Sequence, residues 1–132
     1  MSRFDLNSDS YLTVSYDVTQ RWLYADWHGH VDSEDVMTGA LKMLSLLRRE
    51  QCTKVLNNNA RLVGIWADAA IWGADELLPQ LYDAGCRRFA WVYSPESYSR
   101  LSAELIVERT TAGIILKTFD DLATAQSWLK AG

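Results

Sequence analysis

The chain has 132 residues, enough for one domain and too few to bury two separate cores. Apolar residues make up 48% and charged residues 23%, which excludes a disordered or fibrous chain. The net charge of -4 weighs against coating nucleic acid or an anionic membrane, so neither is expected as a partner.

The first ten residues, MSRFDLNSDS, read as a polar N-terminal segment (1–10) without the apolar stretch of a signal peptide. A single domain is expected over 11–132. No segment approaches a bilayer span, so a cytoplasmic protein is expected. Residues 11–17 (YLTVSYD) and 22–27 (WLYADW) alternate in strand fashion around a four-residue loop, which predicts an antiparallel hairpin. Asp32 or Ser33 caps a helix running to about Glu50, with Val36, Met37, Ala40, Leu41, Leu44 and Leu47 at helical spacing.

A short strand follows at 53–57, then a polar turn from Asn58 to Gly64. The pattern is helical from about Trp66 to Ala84, where Gly73 and Pro79 predict a kink or two shorter helices, and Gly85 is a stop. Phe89 to Tyr93 is a continuous apolar run, which predicts a central strand buried on both faces. Ser94-Pro95-Glu96 reads as a helix start, with Tyr98, Leu101, Leu105 and Ile106 as the apolar stripe. A last strand spans 113–118, and Asp120 or Asp121 caps a final helix whose stripe is Leu122, Ala125, Trp128 and Leu129. The order is ββαβαβαβα: an α/β fold with a mixed five-stranded sheet and an antiparallel first strand.

Several segments in this order carry a resemblance: Trp27-His28-Gly29, Lys54-Val55-Leu56-Asn57-Asn58, Trp66 and Trp72 with Leu78-Pro79, Ala84 to Val92, and Phe119 with Ala125 and Trp128-Leu129. Together they resemble the STAS fold of bacterial anti-anti-sigma factors and of the cytosolic domains of sulphate transporters. More narrowly the chain is similar to the SpoIIAA-like family of stand-alone bacterial proteins, which also resemble the lipid-binding CRAL-TRIO lobe. The resemblance implies a regulatory module. Anti-anti-sigma factors carry a phosphorylatable Ser after the third strand, where this chain reads Asn57 to Gly64 without Ser or Thr, so the phospho-switch is not expected.

Ligands of open α/β sheets bind beyond the carboxyl ends of the parallel strands. That edge is expected to gather Asn57, Asn58, Asn59, Arg61, Trp66, Ser94 and Tyr98, with Trp72 nearby. The Asn and Arg side chains and the amides at Pro95–Ser97 suit an anion or polar head group. Trp66 and Trp72 suit the wall or lid of an apolar cavity, as the lipid-lobe resemblance implies, or a dimer surface, or the core. Asp26, His28, His30 and Asp32 alternate, but Gly29 and the capping role of Asp32 argue against a metal site. Arg48, Arg49, Lys54, Arg87 and Arg88 fall at the opposite edge. Cys52 and Cys86 read as reduced, buried thiols close to one another.

No GxSxG, P-loop, GxGxxG or HExxH motif is present, so no catalytic residue and no cofactor is assigned. The leading reading is a non-enzymatic regulatory module binding a lipid-like or anionic small molecule or a protein partner. The alternatives are a protein-interaction or homodimerisation module using the Trp66–Trp72 surface and, behind it, a small enzyme.

Overall fold

A computed structural model describes residues 3–110 and 113–132. Its centre is a six-stranded sheet with strands in sequential order. These are β1 (Arg3–Ser8), β2 (Leu12–Asp17), β3 (Trp22–His30), β4 (Lys54–Val63), β5 (Arg88–Val92) and β6 (Ile115–Phe119). β1, β2 and β3 form an antiparallel meander, and β3 to β6 run parallel. The helices are α1 (Ser33–Glu50), α2 (Ala67–Trp72), α3 (Leu78–Asp83), α4 (Ser97–Arg109) and α5 (Leu122–Ala131).

The α/β class, the hairpin and the parallel crossovers are as the sequence predicts. The strand count is corrected from five to six, because part of the polar N-terminal segment pairs with β2 as an edge strand. Such an edge needs only backbone partners and one side of contact, so its composition can stay polar. The polar turn expected from Asn58 to Gly64 is also corrected: β4 continues through Val63, and Gly64 ends it. Gly64 has a φ of +126°, and a Cβ there would lie 2.2 Å from the carbonyl oxygen of Val31, so no other residue fits.

α2 and α3 are joined without a break by a π turn over Gly73–Leu77. The Leu78 amide donates to the carbonyl of Gly73, five residues back. Pro79 follows, and the wider turn relieves the clash its ring would make in a regular helix. The predicted kink is thus one helix with a π turn.

The two faces of the sheet are unequally covered. α1 to α4 lie over one face, on the main core of Leu12, Val14, Leu23, Trp27, Val55, Leu62, Phe89 and Trp91. α5 alone covers the other, over Trp22, Tyr24, Leu56, Ala90 and Val92. Trp22 and Trp27 point to opposite faces, as an odd separation along one strand requires. No helix among the described residues is long and apolar enough to cross a membrane.

Candidate functional site

Beta propensity disfavours three consecutive Asn in a strand. Their side chains make the strand possible. Asn57 accepts the Trp27 indole N–H at 2.8 Å and donates to Asn59 at 3.3 Å. Asn58 points to the other face and donates to the Tyr24 hydroxyl at 3.0 Å. Its carbonyl also accepts the Ala60 amide at 3.0 Å, an Asx turn that holds a bulge where the register against β3 slips by one residue. All three Asn are buried.

The other expected site residues part company as well. Arg61 is exposed and pairs with Asp26 at 2.7 Å. Ser94 is buried, donates to the Leu62 carbonyl at 2.6 Å and accepts the Glu96 amide at 3.0 Å, locking β5 to the end of β4. Ser94 therefore does not cap α4. Glu96 does, accepting the amides of Tyr98 at 2.6 Å and Ser99 at 3.3 Å. The same carboxylate accepts the Gly64 amide at 2.9 Å. These backbone donors, Gly64 first, hold the Glu96 carboxyl below its ordinary range. The anion site expected at this helix start is thus filled by the chain's own carboxylate.

α4 departs furthest from expectation. Ser99 and Ser102 face the core at 1% and 3% exposure, while Tyr98 and Leu101 face solvent at 59% each. The cause is Trp66, which is buried and stacks on Trp91 with centroids 6.1 Å apart. Its indole N–H donates to Ser99 and its backbone amide to Ser102, both at 3.2 Å. A large apolar side chain at either serine would fill the space of the ring and orphan a donor. Trp66 is therefore core, and its ring is not available to a dimer partner.

Two concavities among the described residues involve these side chains. One is an interior cavity of about 40 Å³ between the sheet and the helices, lined by Asn57, Asn59, Trp66, Trp72 and Trp91 among mostly apolar neighbours. The other is a groove of about 560 Å³ at the carboxyl end of the sheet, lined by His30, Asp32, Val63, Ile65, Glu96 and Tyr98. The eight expected site residues therefore do not converge: Asn57, Asn59, Trp66 and Trp72 line the cavity and Tyr98 the groove. Asn58, Arg61 and Ser94 line neither. Sequence reasoning missed Val63, Ile65 and Glu96 as groove residues. The signal was there in Val63 and Ile65, two branched apolar residues flanking a Gly where a polar turn was expected.

The remaining clusters have structural work. Asp32 caps α1 in a reciprocal pair with Asp35. Among the described residues, no group of three His, Cys, Asp or Glu is placed to hold a metal. Lys54 donates to the Leu129 carbonyl at 2.7 Å, and Arg87 lies 4.0 Å over the Tyr82 ring and donates to the Tyr82 carbonyl at 2.7 Å. These basic residues close helix ends. Cys52 and Cys86 are free and buried. Burial pushes Cys52 up to about 11 and Cys86 up to about 12, and a charge on Cys52 would raise Cys86 further.

No protein-family model matches the chain, and no curated protein matches it. Solved structures do. An uncharacterized DUF3478-family protein with a SpoIIAA-like fold from Shewanella loihica PV-4 is 21% identical, over 96% of this chain and 91% of that one, with a TM-score of 0.51. SiaC of Pseudomonas aeruginosa is 13% identical, over 90% of this chain and all of that one (100%), with a TM-score of 0.50. The six-stranded sheet, the helix order and these likenesses together show that the chain has a SpoIIAA-like fold of the STAS type.

Proposed function

We propose that this chain is a non-enzymatic regulatory module that docks a protein partner at the carboxyl end of its sheet. The observation that carries this reading is the orientation of α4. It buries two serines and turns Tyr98 and Leu101 to solvent, each 59% exposed. Val63 and Ile65 are exposed beside Tyr98 in the same groove, and Ile71 and Leu101 are exposed on α2 and α4. Scattered exposed apolar residues need no explanation, but several at one sheet end suit an interface core. Asp32 and Glu96 put negative charge at its rim, which favours a partner with basic residues around an apolar anchor. The SpoIIAA-like fold is the one to which the sequence resemblance attaches the expectation of a regulatory module.

A lipid-like ligand has less support, because a cavity of about 40 Å³ has room for a few water-sized groups and not for an acyl chain. An anionic head group would compete with Glu96 for the α4 amides. The test is a photo-crosslinking amino acid at position 101, installed in the chain in its own host. The reading expects one dominant heterologous adduct that is lost in an Ile65→Asp background. A self-adduct would favour the homodimer, and labelling without a discrete adduct would contradict docking at this surface.

A further inference from the structure

Trp91 forms part of the wall of the interior cavity. It is 5% exposed, and its indole N–H is buried with no acceptor in hydrogen-bond reach among the described residues. The neighbouring indoles are satisfied: Trp27 donates to Asn57 and Trp66 to Ser99. A buried N–H without an acceptor is costly, and Phe would fill much of the same slot without that cost. From this we infer that the cavity is a binding site for a small uncharged molecule with one carbonyl-type acceptor and an otherwise apolar body, held by the Trp91 N–H.

Each part of that description follows from the walls. The indole offers a donor only, so the guest must accept. None of the lining residues is ionisable, so a charged guest would be buried without a counter-charge. A volume of about 40 Å³ is roughly three times what one water needs, which suits a guest of a few heavy atoms. Water gains less than a guest with an apolar body, because the walls are mostly apolar. It needs two or more polar partners, which only the spare amide positions of Asn57 and Asn59 could add to the Trp91 N–H, and it is the competing occupant that the test below separates from a carbonyl guest. Gly73 and Leu77, from the two ends of the π turn, line the cavity, and π turns frequently accompany functional sites. The cavity is separate from the outer groove, so this inference and the docking reading can fail independently.

Acetone is a suitable probe, with acetate as the charged control. In a proton–nitrogen correlation spectrum of the full chain, Trp91→Phe identifies the Trp91 indole signal by its loss. Acetone should shift that signal saturably, while Trp22 and Trp128 on the other face stay fixed and acetate has no effect. Ala69→Val narrows the cavity and should abolish the saturable shift while keeping the Trp91 signal, which serves even if Trp91→Phe folds poorly. A Trp91 signal that does not move, that moves linearly along with all the others, or that shows close contact with bound water and no response to acetone would overturn the proposal. So would an unchanged saturable shift in Ala69→Val.

Discussion

α4 and α5 each follow a parallel strand and lie on opposite sides of the same sheet, yet they place their apolar residues differently. α5 obeys its sequence pattern. Asp121 caps it, Ala125 and Leu129 are buried, and Trp128 tilts against Phe119 with centroids 5.7 Å apart. α4 carries a weaker stripe and divides it: Ile106 is buried and Leu105 packs on the core, while Tyr98 and Leu101 in its first turns face outward. The difference lies in what each face meets. α5 meets an apolar sheet surface that any well-shaped hydrophobe can fill. α4 meets Trp66, whose ring needs room and whose two N–H groups need acceptors. Helical periodicity reports where apolar residues recur but not which face a neighbouring indole has already claimed.

The comparison predicts graded effects. The largest belongs to Trp66→Ala, which empties the space α4 is built around and should cost about 3–5 kcal/mol in denaturant unfolding. Leu129→Ala on α5 should cost about 2–5 kcal/mol by the same cavity mechanism. If Trp66→Ala were nearly neutral, the claim that this ring dictates the orientation of α4 would be wrong. Ser99→Ala removes no volume of consequence but strands the Trp66 N–H, an expected loss of about 1–3 kcal/mol. The same change at exposed Ser127 on α5 should do almost nothing.

The cysteines test the main core, on the α1–α4 side of the sheet, through pH. Their thiols titrate higher in the folded chain than in the unfolded one, so the unfolded state ionises first. Stability should be full below the ordinary thiol range near pH 9 and fall as pH rises towards 11 to 12. Unfolding curves of the native chain and of Cys52→Ala/Cys86→Ala across that range should diverge in this sense; parallel curves would show that the thiols are not buried as described. Leu101→Ser should also have a small effect, within about 0.5 kcal/mol, since the side chain already faces water.

The same contrast explains what was legible in the sequence. The hairpin, the crossovers, the caps at Asp32 and Asp121 and the stop at Gly85 rest on local patterns, and local patterns report them. The continuation of β4 beyond Asn57 was not legible because Asn58 is held by Tyr24, and Asn59 by Asn57, which Trp27 fixes, partners far away in the chain. The strand Arg3–Ser8 leaves no pattern in the sequence because an edge strand needs no continuous apolar face. For the site, the right edge of the sheet was legible from topology alone. Its working surface was not, because Asn57, Asn59 and Trp66 are drawn inward, while Val63, Ile65 and Leu101 look like core residues and are not.

The central claim is that the outward apolar face of α4 serves docking and not folding. The most direct measurement is a paired one on Tyr98→Ser/Leu101→Ser: unfolding of the purified chain, and crosslinking from position 65 in the host. The account predicts stability within about 1 kcal/mol of the unsubstituted chain together with loss of the adduct. A double variant that unfolds readily, or that keeps the adduct undiminished, would contradict it.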